Sequence, residues 1–106
     1  MTRPHDKTLA TIRETARSVL AGAQVLLFGS HTRGEAGPES DYDILVITER
    51  PVHLRDKFAL RTQIRKRLPE MGIRCDVLIQ SEQEVQRKRE LPGHIVRSAL
   101  LDGVPL

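Results

Sequence analysis

Two apolar runs, Val25-Leu26-Leu27-Phe28 and Ile44-Leu45-Val46-Ile47, bracket the segment Gly29 to Asp43 and confine what the chain can fold into. Each run is four residues long and rich in aliphatic side chains, so each reads as a buried strand. The segment between them opens with Gly29-Ser30 and closes with Ser40-Asp41-Tyr42-Asp43. Its polar residues are therefore held between paired strands.

Side chains alternate across a strand, which places Asp41 and Asp43 on one face and Tyr42 on the other. Two carboxylates crowded on one face repel unless a cation lies between them. Hard oxygen ligands of this kind favour Mg²⁺ bridged to substrate phosphates. Upstream, Gly29 lets a backbone approach an anion closely, Ser30 offers a hydroxyl and an amide, and the residues that follow can open a short helix. Arg33 adds a charged fork suited to phosphate oxygens or to pairing with Glu35 or Glu39, and Gly34 leads into a turn over Glu35-Ala36-Gly37-Pro38. His31, beside Ser30, is expected at the surface.

A third acid interrupts another strand-like stretch, Ile73-Arg74-Cys75-Asp76-Val77-Leu78-Ile79. A buried, unpaired Asp76 would be costly there. It becomes reasonable if this strand lies beside the Asp41/Asp43 strand and Asp76 joins a metal cluster or activates an acceptor hydroxyl; an ion pair with an arginine is the structural alternative. Cys75 is the sole cysteine, which excludes an intramolecular disulfide and a cysteine-based zinc cluster and leaves a small core residue. His5, His53 and His94 show no metal-ligand spacing.

The rest of the chain alternates helices with these strands. Leu9, Ile12, Ala16, Val19 and Leu20 form one apolar face of a helix expected from Asp6 to Ala21, before Gly22. A second helix is expected over Leu54 to Leu68, with Phe58, Leu60, Ile64 and Leu68 turned to the core and Pro69 ending it. Ser81-Glu82-Gln83-Glu84 reads as a capping box, Leu91-Pro92-Gly93 as an interruption, His94 to Leu101 as a resumed helix and Asp102-Gly103 as a stop. Helices between three strands imply an α/β (α+β) sandwich with a small mixed sheet, folded as one domain over 1–106.

With 106 residues and 3% aromatics, packing falls to Leu, Ile, Val and Ala, and self-association or a stable partner would add to stability. No apolar stretch approaches the roughly 20 residues that span a bilayer, and no signal-type apolar region opens the chain, so a cytoplasmic location is expected. From Arg50 to Arg67 inclusive there are seven basic residues and one acid, a surface for RNA or for an acidic partner. The net charge of only +3 and the scarcity of stacking aromatics make direct nucleic-acid binding the weaker expectation.

Gly29-Ser30, Arg33-Gly34, Ser40-Asp41 and Asp43, followed by the later strand acid Asp76, resemble the pattern of the nucleotidyltransferase superfamily that includes DNA polymerase β and aminoglycoside nucleotidyltransferases. The short length resembles its minimal nucleotidyltransferases. The resemblance implies that Gly29, Ser30, Arg33 and Ser40 bind nucleotide, that Asp41, Asp43 and Asp76 bind Mg²⁺ in a two-ion site, and that Asp76 completes the second metal site or acts as base. ATP or another NTP would be the substrate. Larger relatives carry a helical domain that helps build the acceptor pocket, so the acceptor here is expected from another molecule. Minimal members are commonly paired with HEPN-domain proteins in toxin–antitoxin modules, and some transfer AMP to a tyrosine of that partner. The alternative is a catalytically silent antitoxin that neutralises its partner by binding alone.

Overall fold

The computed structural model describes residues 4–34, 37 and 40–106. The turn expected at Glu35 to Pro38 and the pairing partners Glu35 and Glu39 fall, Gly37 apart, outside those residues. The order is α1 (Pro4–Val19), β1 (Gln24–Phe28), α2 (Ser30–Arg33), β2 (Tyr42–Thr48), α3 (Leu54–Arg67), β3 (Cys75–Ser81), α4 (Glu82–Lys88), α5 (Ile95–Asp102) and β4 (Val104–Pro105), with a 3-10 turn at Pro69–Met71. The sheet runs β3-β2-β1-β4. β1 pairs antiparallel with β2 and β4, whereas β2 and β3 are parallel, joined through α3.

Alternation along the strands sorts the core into two layers. Val25, Leu27, Ile44, Val46, Val77 and Ile79 share one cluster with Ile12 and Ala16 of α1 and Ile64 of α3. Leu26, Phe28, Leu45, Ile47 and Leu78 fall into the other, with Val85 of α4 and Ala99 and Leu100 of α5. Helices thus cover both faces, and alternate residues of each strand fill the two layers. Cys75 is buried in the first layer, as its setting suggested.

The ends of the elements follow local chemistry. The Ser81 hydroxyl accepts from the Glu84 amide while Glu84 accepts from the Ser81 amide, completing the expected capping box at α4. His94 caps α5, its Nδ1 accepting from the Val96 amide at 3.1 Å.

Two expectations change. The sheet has a fourth strand, β4, in which Val104 and Pro105 lie opposite Leu27 and Leu26. Two residues are too few to show a period, and Pro105 fits only because this is an edge. Phe58, expected in the core, is 55% exposed, whereas Ile64 and Leu68 are fully buried. At 100° per residue, Leu60, Ile64 and Leu68 share one stripe and Phe58 lies 200° from Leu60.

Candidate active site

The sequence brings one edge of the site together through strand register. Asp43 of β2 lies directly opposite Asp76 of β3, and on its other side opposite Phe28 of β1. All three share the side-chain parity of Leu45 and Leu78, so the two carboxylates occupy neighbouring positions at one end of the α4/α5 face. Asp43 is half-buried and Asp76 exposed. Tyr42 points to the opposite face and packs against the first core layer, as the alternation required.

Electrostatics at Asp43 reflect this crowding. Burial raises its pKa above the ordinary carboxylate value, and the charges of Asp76 and then Asp41 push in the same direction, partly offset by His31 and Arg33. Cys75, on the reverse face, is pushed up to about 12 by burial and then by the charges of Asp76 and Asp43, which leaves its thiol protonated and inert.

Gly29 explains how the first strand meets this acid. Its φ of 83° and ψ of −153° lie in a region open essentially to glycine, and a Cβ there would stand 2.5 Å from Asp43 Oδ2. The close approach that glycine permits is therefore made by the protein's own carboxylate. Ser30 follows as the first residue of α2 and is half-buried. Gly34, at φ 73°, ends α2 in the left-handed conformation, its amide donating to the Ser30 carbonyl.

Other expected site residues are engaged within the chain. Arg33 Nη1 donates to Asp102 Oδ2 at 2.7 Å, tying α2 to the end of α5. Arg74 Nε lies 3.3 Å from Asp41 Oδ1, with both side chains largely in solvent. The Ser40 hydroxyl accepts from the Gly37 amide at 2.9 Å. Among the described residues no three His, Cys, Asp or Glu side chains converge as a ready-made cation site. Asp43 and Asp76 are neighbours, and Asp41 stands one residue beyond the strand, turned to Arg74.

His31 is the residue that sequence reasoning passed over. It is half-buried rather than exposed, and its ring stacks on Tyr42 with centroids 3.9 Å apart and planes 8° from parallel. Its Nε2 lies 3.0 Å from the Ser40 carbonyl, which can only accept, so Nε2 carries the hydrogen. The ring thereby braces α2 against the entry to β2. No signal in the sequence pairs residues 31 and 42, because only the turn of the chain brings them together.

These features define a nucleotidyltransferase domain, and the comparisons agree. The nucleotidyltransferase domain model matches residues 9–102, and the chain belongs to that family. It is 32% identical to a protein described as a minimal nucleotidyltransferase, over 94% of each chain, with a TM-score of 0.58. A toxin–antitoxin complex with AMP-PNP shares the fold at a TM-score of 0.61 and 17% identity, over 91% of this chain and 69% of that one. A protein from Sulfolobus solfataricus described as a nucleotidyltransferase does so at 0.59 and 21%, over 93% and 78%. Among curated proteins no match is found. Among the described residues no helix is long and apolar enough to cross a membrane.

Proposed function

We propose that this chain is a Mg²⁺-dependent nucleotidyltransferase that moves AMP from ATP onto a hydroxyl, namely a tyrosine of a HEPN-type toxin partner, and so acts as an antitoxin. The observation that carries the reading is the Asp43–Asp76 register, which sets two carboxylates side by side at one end of the sheet beside Gly29-Ser30. The donor set fits a hard divalent cation. Asp43 is burdened by its own burial and by two neighbouring negative charges, a strain that a cation would relieve.

Asp41, Asp43 and Asp76 would hold the metal, with Asp41 exchanging its contact with Arg74 for the ion. When bound, Mg²⁺ supplies charge neutralisation for the phosphates of an in-line displacement. The chain's own residues do the rest. Gly29 and Ser30 grip the triphosphate, Ser40 borders the nucleotide, and Arg33 trades Asp102 for phosphate oxygens. The acceptor oxygen forms its bond to the α-phosphorus as the bond to the bridging oxygen breaks. Pyrophosphate leaves with that electron pair, and Asp76 takes the hydroxyl proton.

The test is transfer of label from α-labelled ATP to a co-expressed neighbouring-gene protein with Mg²⁺, comparing wild type with Asp41→Asn/Asp43→Asn. Label on the partner with wild type alone is the expected result. Partner neutralisation that survives the double substitution, with no label from either protein, would overturn the enzyme and leave an antitoxin that acts by binding.

A further inference from the structure

β3 is an edge strand. It pairs with β2 on one side, and among the described residues no strand pairs with the other. α3 runs antiparallel alongside it, and two recesses open between them. One, of about 420 Å³, is lined by Leu54, Phe58 and Arg61 against Leu78 and Ile79. The other, of about 330 Å³, is lined by Thr62, Arg65 and Lys66 against Cys75 and reaches Asp41. Arg61 of the first and Thr62 of the second are consecutive on α3, so the two recesses follow one another along that helix and together are treated as one groove. The Lys57–Glu84 ion pair, 2.6 Å long and anchored at Ser81, closes the far end.

This groove is graded. Its closed end carries the most exposed apolar side chains of α3, Leu54 at 70% and Phe58 at 55%. Arg61 lies over the Phe58 ring at 5.3 Å, a cation on an apolar platform. Its open end is cationic, with Arg65 and Lys66, and reaches Asp41. An unpaired edge is a template for an added strand, and an apolar recess beside it selects a side chain.

We propose that the groove is the docking site for an extended, acidic segment of the acceptor protein. The segment adds to the free edge of β3, seats an apolar residue between Leu54 and Phe58, and sets its carboxylates against Arg61, Arg65 and Lys66. Delivery of its hydroxyl to the site rests on the transferase reading; the docking does not. Ile79 and Asp76 are three positions apart, about 10 Å along a strand, so the apolar anchor stands roughly three residues from the acceptor hydroxyl. A second copy of this chain is disfavoured as occupant. Edge-to-edge pairing would bring α3 against α3, and that helix carries Arg55, Lys57, Arg61, Arg65, Lys66 and Arg67 against the single acid Asp56. RNA is disfavoured because Phe58 is the one aromatic side chain in the groove and Arg61 already covers it.

The experiment is amide hydrogen exchange on the full chain with two synthetic peptides. One has a tyrosine, glutamates and a leucine about three residues beyond the tyrosine; the other has lysines for the glutamates. The acidic peptide is expected to slow exchange at Val77, Leu78 and Ile79 and to bind at least roughly tenfold tighter than the lysine peptide. Arg61→Glu/Arg65→Glu should invert that preference, and Phe58→Ser, at an exposed position, should weaken the acidic peptide severalfold without lowering Tm. Equal binding of both peptides, protection elsewhere, protection by an oligouridylate instead, or protection that rises with protein concentration alone would each overturn the proposal. The same peptide offered with α-labelled ATP and Mg²⁺ separates the two readings. Protection of β3 without label sinks the transferase and keeps the groove, whereas label without protection sinks the groove and keeps the transferase.

Discussion

A side chain at residue 29 would stand with its Cβ 2.5 Å from Asp43 Oδ2, so Gly29 and Asp43 fit only because one of them has no side chain. The backbone at Gly29 is also in a glycine-only region, at φ 83° and ψ −153°. Gly29→Ala is therefore expected to cost about 3 kcal/mol from backbone strain and the displaced carboxylate together. For a domain of this size that is a fall in Tm of about 10–20 °C. Gly34→Ala is the control: its φ is 73°, nothing lies within 4 Å of an added Cβ, and it should cost only about 1 kcal/mol. Equal losses in thermal denaturation would show that the contact with Asp43 contributes nothing.

Asp43 itself is expected to weaken the metal-free fold. Its folded pKa is raised, so the ionised form disfavours folding at neutral pH and its contribution improves as pH falls through that raised value. Asp43→Asn should raise Tm without divalent ions by the equivalent of about 0.5–1 kcal/mol, while abolishing transfer. Added Mg²⁺ should then stabilise wild type and leave the variant unmoved. A variant less stable than wild type in chelator would refute the repulsion.

Much of this site could be read from the order of residues, and the rest could not for definite physical reasons. Period-two alternation placed Asp43 and Tyr42 on opposite faces, and the capping box at Ser81 and the buried strand around Cys75 followed from local chemistry. The pairing of Asp43 with Asp76 depends on register between parallel strands joined by α3, which is set by how Ile64 and Leu68 seat in the core. Arg33 finds Asp102 from 69 residues away, and no local rule ranks that partner above the nearer Glu35. Phe58 entered the expected core by its chemistry alone, although its angular position on α3 placed it off the stripe.

Glu84 should govern acid sensitivity. Burial opposes its charge, but the Lys57 hydrogen bond, the Ser81 amide and the charges of Lys57 and Lys88 override that and bring its pKa from 4.5 to about 2. A lowered folded pKa gives stability that is present above about pH 4.5 and lost as pH falls toward 2. The full shift corresponds to ~3 kcal/mol, and solvent access at the rim reduces it to about 1–2 kcal/mol. Glu84→Gln preserves the capping geometry, so at pH 7 it should lose only this electrostatic part. The two proteins should converge in denaturant midpoint near pH 2. A gap that persists at pH 2 would assign the loss to packing instead.

His31 is expected to act by position. It holds the Ser40 carbonyl through Nε2 and stacks on Tyr42, so it couples the turn before Asp41 to α2. His31→Ala removes both contacts and should cost about 1–2 kcal/mol and weaken ATP binding severalfold. His31→Phe keeps a ring on Tyr42 and loses only the hydrogen bond. It should recover most of the stability, measured by thermal denaturation, and little of the ATP affinity, measured by calorimetry. If both variants bind ATP as wild type does, the His31–Ser40 contact shapes the fold alone and has no part in presenting the nucleotide site.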